Sequence, residues 1–198
     1  MRTALLLILG EVFLKTASIQ LYIMETAVWH SGFVNDTFWD EEYKNLNYRL
    51  ESFNNRDDLA KWKRLGYVHP DSHYTGMMCD MRSPQPSWNN KIIDWAKTMY
   101  QLKDIGTSYY RMGTGVILPN HKDTYASYCK LFNVTFDQCE RIVIFLEDWQ
   151  SGHYFEIEGY PFVNWRKGDY VWWQGDTEHM AANLGITKRY TPQITGHK

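Results

Sequence analysis

The sequence predicts a mainly β protein, an antiparallel sandwich or barrel of short strands with N-terminal helices laid against one outer face. Three observations lead there. Between Asn35 and Leu102 the apolar residues recur mostly at helical spacing, and after Leu102 they fall into short β-type runs. Those runs are separated by Gly, Pro, Asn and Asp with no long helix between them, which argues against parallel βαβ units. No internal repeat, low-complexity tract or linker divides the chain, so its 198 residues are expected to form one domain, 1–198. Within it, residues 1–104 would be a mostly helical buttress and 105–198 the β core.

The opening Met1-Arg2-Thr3-Ala4-Leu5-Leu6-Leu7-Ile8-Leu9-Gly10 has the charged start and apolar run of a signal peptide. Glu11 and Lys15 interrupt it, no clean small-residue cleavage site follows, and it is too short to span a bilayer. It reads as a packed helix or strand, with Met24 as an alternative start. A cytoplasmic location is expected, and export is the less favoured alternative. Next, Thr37 or Asp36 would cap a helix running to roughly Ser52, with Phe38, Tyr43, Leu46 and Leu50 as its apolar spacing. Asp57 through Leu65 reads as a short helix stopped by Gly66. Ser83-Pro84-Gln85-Pro86 blocks regular structure, after which Ser87 would cap a helix with the stripe Trp88, Ile92, Trp95, Ala96 and Met99. The strands expected beyond it are 107–112, 116–118, 141–146, 154–157, 170–174, 178–182 and 187–195.

Net charge is −2, so the chain lacks the basic surface that nucleic-acid binding usually requires. Aromatic residues make up 16% of the chain, enough to fill a core and wall a pocket. Cys79, Cys129 and Cys139 form no C-x-x-C pair and leave an odd count, which reads as free, reduced thiols. No G-x-S-x-G, G-x-x-x-x-G-K or paired-cysteine zinc motif is present. Glu140, Glu147 and Asp148 have no evident means of raising one pKa for hydrolysis and read as a solvated strand end. Trp165, Trp172 and Trp173 read as core or pocket wall.

One constellation stands out. In Leu118-Pro119-Asn120-His121-Lys122-Asp123, a strand-like run gives way to a turn. Residues i and i+2 of an extended chain project to the same face, so His121 and Asp123 can grip one ion together. His179, just after the Gly168-Asp169 turn and its strand, supplies a second imidazole. Two histidines and one carboxylate with open positions suit non-haem Fe(II). On the next strand Arg189, Thr191 and Gln193 alternate to one face, and Arg189 offers an always-charged fork for a carboxylate co-substrate.

The C-terminal half, roughly 105–196, resembles the double-stranded β-helix (cupin-like jelly-roll) core of the iron(II)- and 2-oxoglutarate-dependent dioxygenases. That family carries H-x-D/E, a long interval, H, then Arg about ten residues on, often with Ser or Thr two places later. His121-x-Asp123, His179 and Arg189-Tyr190-Thr191 match it. In its many tryptophans and its ending Arg-Tyr-Thr-Pro-Gln-Ile-Thr-Gly, the chain is similar to small oxygenases of bacteriophage and marine bacteria. The resemblance implies Fe(II) held by His121, Asp123 and His179, and the distal carboxylate of 2-oxoglutarate held by Arg189 with Thr191. It also aligns Tyr110 with a tyrosine that some prolyl-hydroxylase-like members aim at the same carboxylate. The activity implied is hydroxylation of a substrate C–H bond with release of succinate and CO2, with ascorbate as an accessory reductant.

Arg141-Ile142-Val143-Ile144-Phe145-Leu146 faintly resembles an arginine-bearing strand of aspartyl/asparaginyl β-hydroxylases, which lack the carboxylate ligand present here as Asp123. His153 reads equally as a surface loop residue and as a substrate contact. The substrate itself, whether peptide, nucleobase or small metabolite, is not encoded in a legible motif. Residues 24–102 and the Tyr125–Gln138 segment are expected to form its pocket. Two alternatives use the same fold: a cupin-like metal-binding protein or isomerase without O2 chemistry, and a structural barrel with incidental histidines. Arg189 separates them, because only a user of 2-oxoglutarate needs it at that spacing.

Overall fold

The computed structural model describes residues 28–50, 55–71 and 74–198. The readings of the first 27 residues, and of the end of the helix expected to reach Ser52, lie outside the described residues.

Among the described residues, eleven strands form two antiparallel sheets. The larger contains β1 (Trp29–Phe33), β2 (Arg49–Leu50), β3 (Met77–Cys79), β4 (Lys103–Met112), β6 (Cys139–Ile144), β9 (Asp169–Gln174) and β11 (Arg189–His197). The smaller contains β5 (Ile117–His121), β7 (His153–Ile157), β8 (Tyr160–Phe162) and β10 (His179–Asn183). Their orders are β1-β9-β6-β11-β4-β3-β2 and β5-β10-β7-β8. Three α-helices accompany them among the described residues: α1 (Arg56–Arg64), α2 (Asn89–Tyr100) and α3 (Ala126–Phe132).

The central strands of the large sheet bury both faces, which is why they read as nearly continuous apolar runs. Successive side chains of a strand point to opposite sides. Val143, Val171 and Trp173 therefore face the interior between the sheets, with Phe155, Ile157 and Ala181 of the small sheet. Ile142, Ile144, Tyr170, Trp172, Tyr190 and Ile194 face outward, where Ile92 and Ala96 of α2 cover them. The buttressing expected of the N-terminal half is thus met by α2 on the outer face of the large sheet.

Other elements differ from expectation. The helix expected from Asp36 or Thr37 shrinks to one 3-10 turn, Glu41–Asn45, capped by Asp40. A short isolated helix is marginal in water, and here packing outweighs it. Trp39 donates its indole N–H to the Leu146 carbonyl at 3.1 Å, and Tyr43 and Tyr48 both rest on Tyr190. Ser87 does not cap α2; its N–H and hydroxyl both donate to the Glu42 carboxylate. Met99 leaves the buried stripe and is 59% exposed. The helix at Asp57–Leu65 forms as α1, its first N–H groups capped by Asn55. The seven strands expected after Leu102 are all present with shifted ends. The first three strands and β8 have no counterpart among the expected elements.

Candidate metal centre

Both histidines are fixed by the same device. His121 ends β5 and His179 begins β10, directly opposite in the ladder, with a register shift just beyond His179. Such irregularities re-aim side chains next to functional sites. His121 Nδ1 lies 2.9 Å from the Pro119 carbonyl and His179 Nδ1 lies 3.1 Å from that of Thr177. A carbonyl can only accept, so Nδ1 carries the proton in each ring and the Nε2 lone pair is turned to the site. Pro119 fits within β5 because β5 is an edge strand.

Asp123 follows on the irregular stretch after β5. Its Oδ1 is 4.0 Å from His121 Nε2 and its Oδ2 4.0 Å from His179 Nε2. One ligand atom from each of the three residues lies within 4.8 Å of the others, a group that could hold a metal ion. Burial lowers the His179 pKa to about 3, reinforced by the facing His121, so this imidazole is neutral and ready to ligate at pH 7. Burial alone would raise the Asp123 pKa, but the Arg141 guanidinium, then His179 and His121, outweigh it and hold the carboxyl at about 2. Arg141 donates to Asp123 Oδ2 through Nε at 3.1 Å, and Nη2 lies 3.0 Å from the same oxygen. Its Nη1 donates to Thr195 Oγ1 at 2.7 Å.

Behind the triad a narrow cavity of about 30 Å³ runs between the sheets, lined by His179, Trp173, Tyr110, Arg189, Thr191 and Gln193 among others. Arg189, Thr191 and Gln193 share its wall, as strand alternation predicts, and Tyr110 stands opposite Thr191 in the β4–β11 ladder. Arg189 is 7% exposed and forms no ion pair among the described residues. Its Nη1 donates to the Tyr154 carbonyl at 2.7 Å, while its Nε and the Trp173 indole N–H are buried donors without a partner among the described residues. Burial without a counter-charge pulls the guanidinium pKa down to about 10.

The turn before Arg189 is held against another loop. Asn183 donates to the carbonyls of Met112 and Thr187, and the Gly185 N–H donates to Asn183 Oδ1. Gly152 and Gly185 touch backbone to backbone: a Cβ at Gly152 would lie 2.2 Å from Gly185 N, and one at Gly185 2.1 Å from the Ser151 carbonyl oxygen.

On its outer side the triad opens into a cleft of about 530 Å³, walled by Asp58 and Lys61 of α1, Phe136, Asp176 and Glu178. Phe136 of the Tyr125–Gln138 segment therefore borders the triad.

All six residues read from the sequence thus gather at the triad or along the cavity behind it. For Arg141 the sequence offers only a faint resemblance, and Trp173 reads there only as wall. Neither carries a local motif; an arginine amid an apolar strand is the one signal available. His153 is not a surface loop residue, being 4% exposed with Nε2 3.1 Å from the Thr187 carbonyl, and it takes no part in lining the cleft. Glu140 is likewise not solvated: it is 1% exposed and accepts from the Trp172 indole N–H at 2.6 Å. Trp165, Trp172 and Trp173 are buried, as expected.

No protein-family model and no curated protein matches the chain. Solved structures do. A Pseudomonas putida prolyl-4-hydroxylase aligns at 14% identity with TM-score 0.52, over 89% of this chain and 95% of its own. A cupin protein from Bacteroides fragilis aligns at 15% identity with TM-score 0.35, over 49% and 69%. A predicted oxalate decarboxylase from Thermotoga maritima aligns at 12% identity with TM-score 0.36, over 62% and 80%. At these identities the likeness concerns the fold alone. The chain is a mainly β protein with a double-stranded β-helix fold and a His-Asp-His group between its sheets that could hold a metal.

Proposed function

We propose that this protein is an Fe(II)- and 2-oxoglutarate-dependent dioxygenase that hydroxylates a substrate not yet identified, releasing succinate and CO2. The observation that carries the reading is Arg189, a buried cation with no counter-charge and no Nε partner among the described residues, in the cavity behind the triad. An isolated buried charge is costly, and the surroundings that would offset it are an anion. The ligand set of two imidazoles and one carboxylate is that of non-haem iron.

His121, Asp123 and His179 would hold the iron, and Arg189, with Thr191 and Tyr110 beside it, would take the distal carboxylate of 2-oxoglutarate. The unpartnered Trp173 N–H adds a donor to the same cavity. Bound iron and 2-oxoglutarate would supply O2 activation coupled to oxidative decarboxylation, with ascorbate keeping the metal reduced. The chain's own part is orientation and exclusion of water. Nδ1 bonds to backbone carbonyls fix the histidines, a neutral His179 needs no deprotonation before ligating, and Phe155, Val143 and Met112 keep the cavity dry. The substrate would approach through the outer cleft, whose mixed charges accommodate a polar molecule such as a peptide, nucleobase or small metabolite. The prolyl-4-hydroxylase of similar fold is consistent with oxygenase chemistry on this scaffold.

Anaerobic titration with Fe(II) and then 2-oxoglutarate tests the assignment. A visible metal-to-ligand charge-transfer band should develop and saturate at one equivalent of each. Iron binding without that band would favour a cupin-like metal protein that does not use 2-oxoglutarate, and binding of neither would leave a structural barrel.

A further inference from the structure

Asp123 is the least secured member of the triad. It lies beyond the last ladder pair of β5, in a stretch without regular structure, with a side chain 21% exposed to the cleft. No strand partner fixes its carboxylate. Arg141 is its opposite. It sits within β6, flanked by β9 and β11, opposite Trp173 in one ladder and Thr195 in the other. Its guanidinium is held on three sides, by Thr195 Oγ1 at 2.7 Å, by the Tyr125 ring at 5.0 Å and by Asp123 itself. Both Asp123 contacts fall on Oδ2, leaving Oδ1 facing His121 Nε2.

We propose that Arg141 is a positioning residue for the metal site: reaching from the large sheet, it fixes Asp123 by one oxygen and presents the carboxylate to a divalent ion in a single orientation. The inference rests on the triad holding such an ion, and not on 2-oxoglutarate. Two effects of Arg141 oppose each other. As a cation beside the site it repels a divalent ion, and as a clamp it spares the carboxylate the loss of rotational freedom on binding. The clamp dominates, because Asp123 already matches most of the arginine's charge, whereas a two-point hold on one oxygen leaves the carboxylate a single orientation. Partners behind metal ligands are typically worth about 10–100-fold in metal affinity.

The sign of the effect is therefore diagnostic. Metal-free wild type, Arg141→Met and Arg141→Lys are titrated with Co(II) alone, followed by calorimetry and by the d–d absorption of the bound ion. Wild type should bind one equivalent. Arg141→Met should bind about 10–100-fold more weakly, with an altered d–d envelope as the carboxylate turns. Arg141→Lys, which keeps the charge and loses the fork, should be weakened too. Affinity in Arg141→Met equal to or above wild type would mean that repulsion dominates and would overturn the proposal. Wild-type behaviour in Arg141→Lys would assign the effect to charge rather than to the fork and would overturn it equally. Should Arg141→Met fail to fold by circular dichroism, Thr195→Val removes the hydrogen bond that aims the guanidinium and leaves both charges in place. It should weaken Co(II) several-fold, and unchanged affinity would again refute the role. Failure of the wild type to bind Co(II) at all would remove the metal site and this inference with it.

Discussion

His121 and His179 face each other across the β5–β10 ladder with ring centroids 4.3 Å apart, each with Nδ1 engaged by the carbonyl two residues back. Burial and the facing ring keep His179 neutral there, an imidazole ready to ligate.

That relationship makes the metal-free fold acid-sensitive. His179 titrates at about 3 in the folded chain against 6.5 ordinarily, so the unfolded chain takes up the proton first as pH falls. The contribution is fully present above about pH 6.5 and is lost progressively toward pH 3. His30 and His153, lowered by burial, act in the same direction, while Asp123 matters only below about pH 4. The urea midpoint of the metal-free protein should drop between pH 7 and pH 5, and His179→Gln should flatten the drop. An unchanged midpoint would contradict the neutral-ligand picture.

Replacing His179 with Ala should abolish tight Fe(II) binding and leave a folded protein by far-UV circular dichroism. A variant retaining one equivalent at wild-type affinity would show that the triad is misassigned.

Arg189 should show a conflict between stability and binding. Arg189→Ala removes a cation that a bidentate carboxylate would otherwise meet, and typical losses at such buried pairs are about 3–5 kcal/mol, at least a hundredfold in 2-oxoglutarate affinity. Fe(II) affinity without 2-oxoglutarate should hardly change. Arg189→Met, of similar length and without charge, should raise the melting temperature of the ligand-free protein, since a dry unpaired cation is lost. Equal loss of iron and 2-oxoglutarate affinity would remove the reason for placing the co-substrate here.

Uncoupled turnover offers a check that needs no substrate. With Fe(II), ascorbate and 2-oxoglutarate, the protein should release succinate above a metal-free control, measured by mass spectrometry. Asp123→Ala should suppress that release, because the one anionic ligand is gone. Succinate formation indifferent to Asp123 would trace the chemistry to iron free in solution.

The parts of this structure legible in the sequence are those governed by short-range rules. Strand alternation assigns Arg189, Thr191 and Gln193 to one wall, and the i, i+2 rule puts His121 beside Asp123. What escapes depends on distant partners. In β1, Gly32 breaks the apolar pattern because the Tyr170 ring lies across it: a Cβ there would lie 2.3 Å from the Tyr170 hydroxyl oxygen and would force that ring aside. Met77–Cys79 carries no β-branched residue and is a strand because β4 lies beside it. Tyr43 and Leu46 mimic a helix, but the aromatic side chains around them are drawn down onto the large sheet. Arg141 is read as a site residue only once β6 brings it to Asp123, 18 positions away in the chain.

The contact between Gly152 and Gly185 has a bearing on how this chain can vary. At each glycine a Cβ would run into backbone of the facing turn, atoms that any residue there would carry, so each position needs glycine on its own account for as long as the two turns stay in contact. Leu184 and Ile186, 68% and 96% exposed on either side of Gly185, are under no such constraint and are free to diverge. The register that delivers Arg189 to its cavity is thus inherited as a property of two loops jointly. Descendants of this sequence that keep the two turns in contact should keep glycine at both positions, whatever becomes of the residues around them.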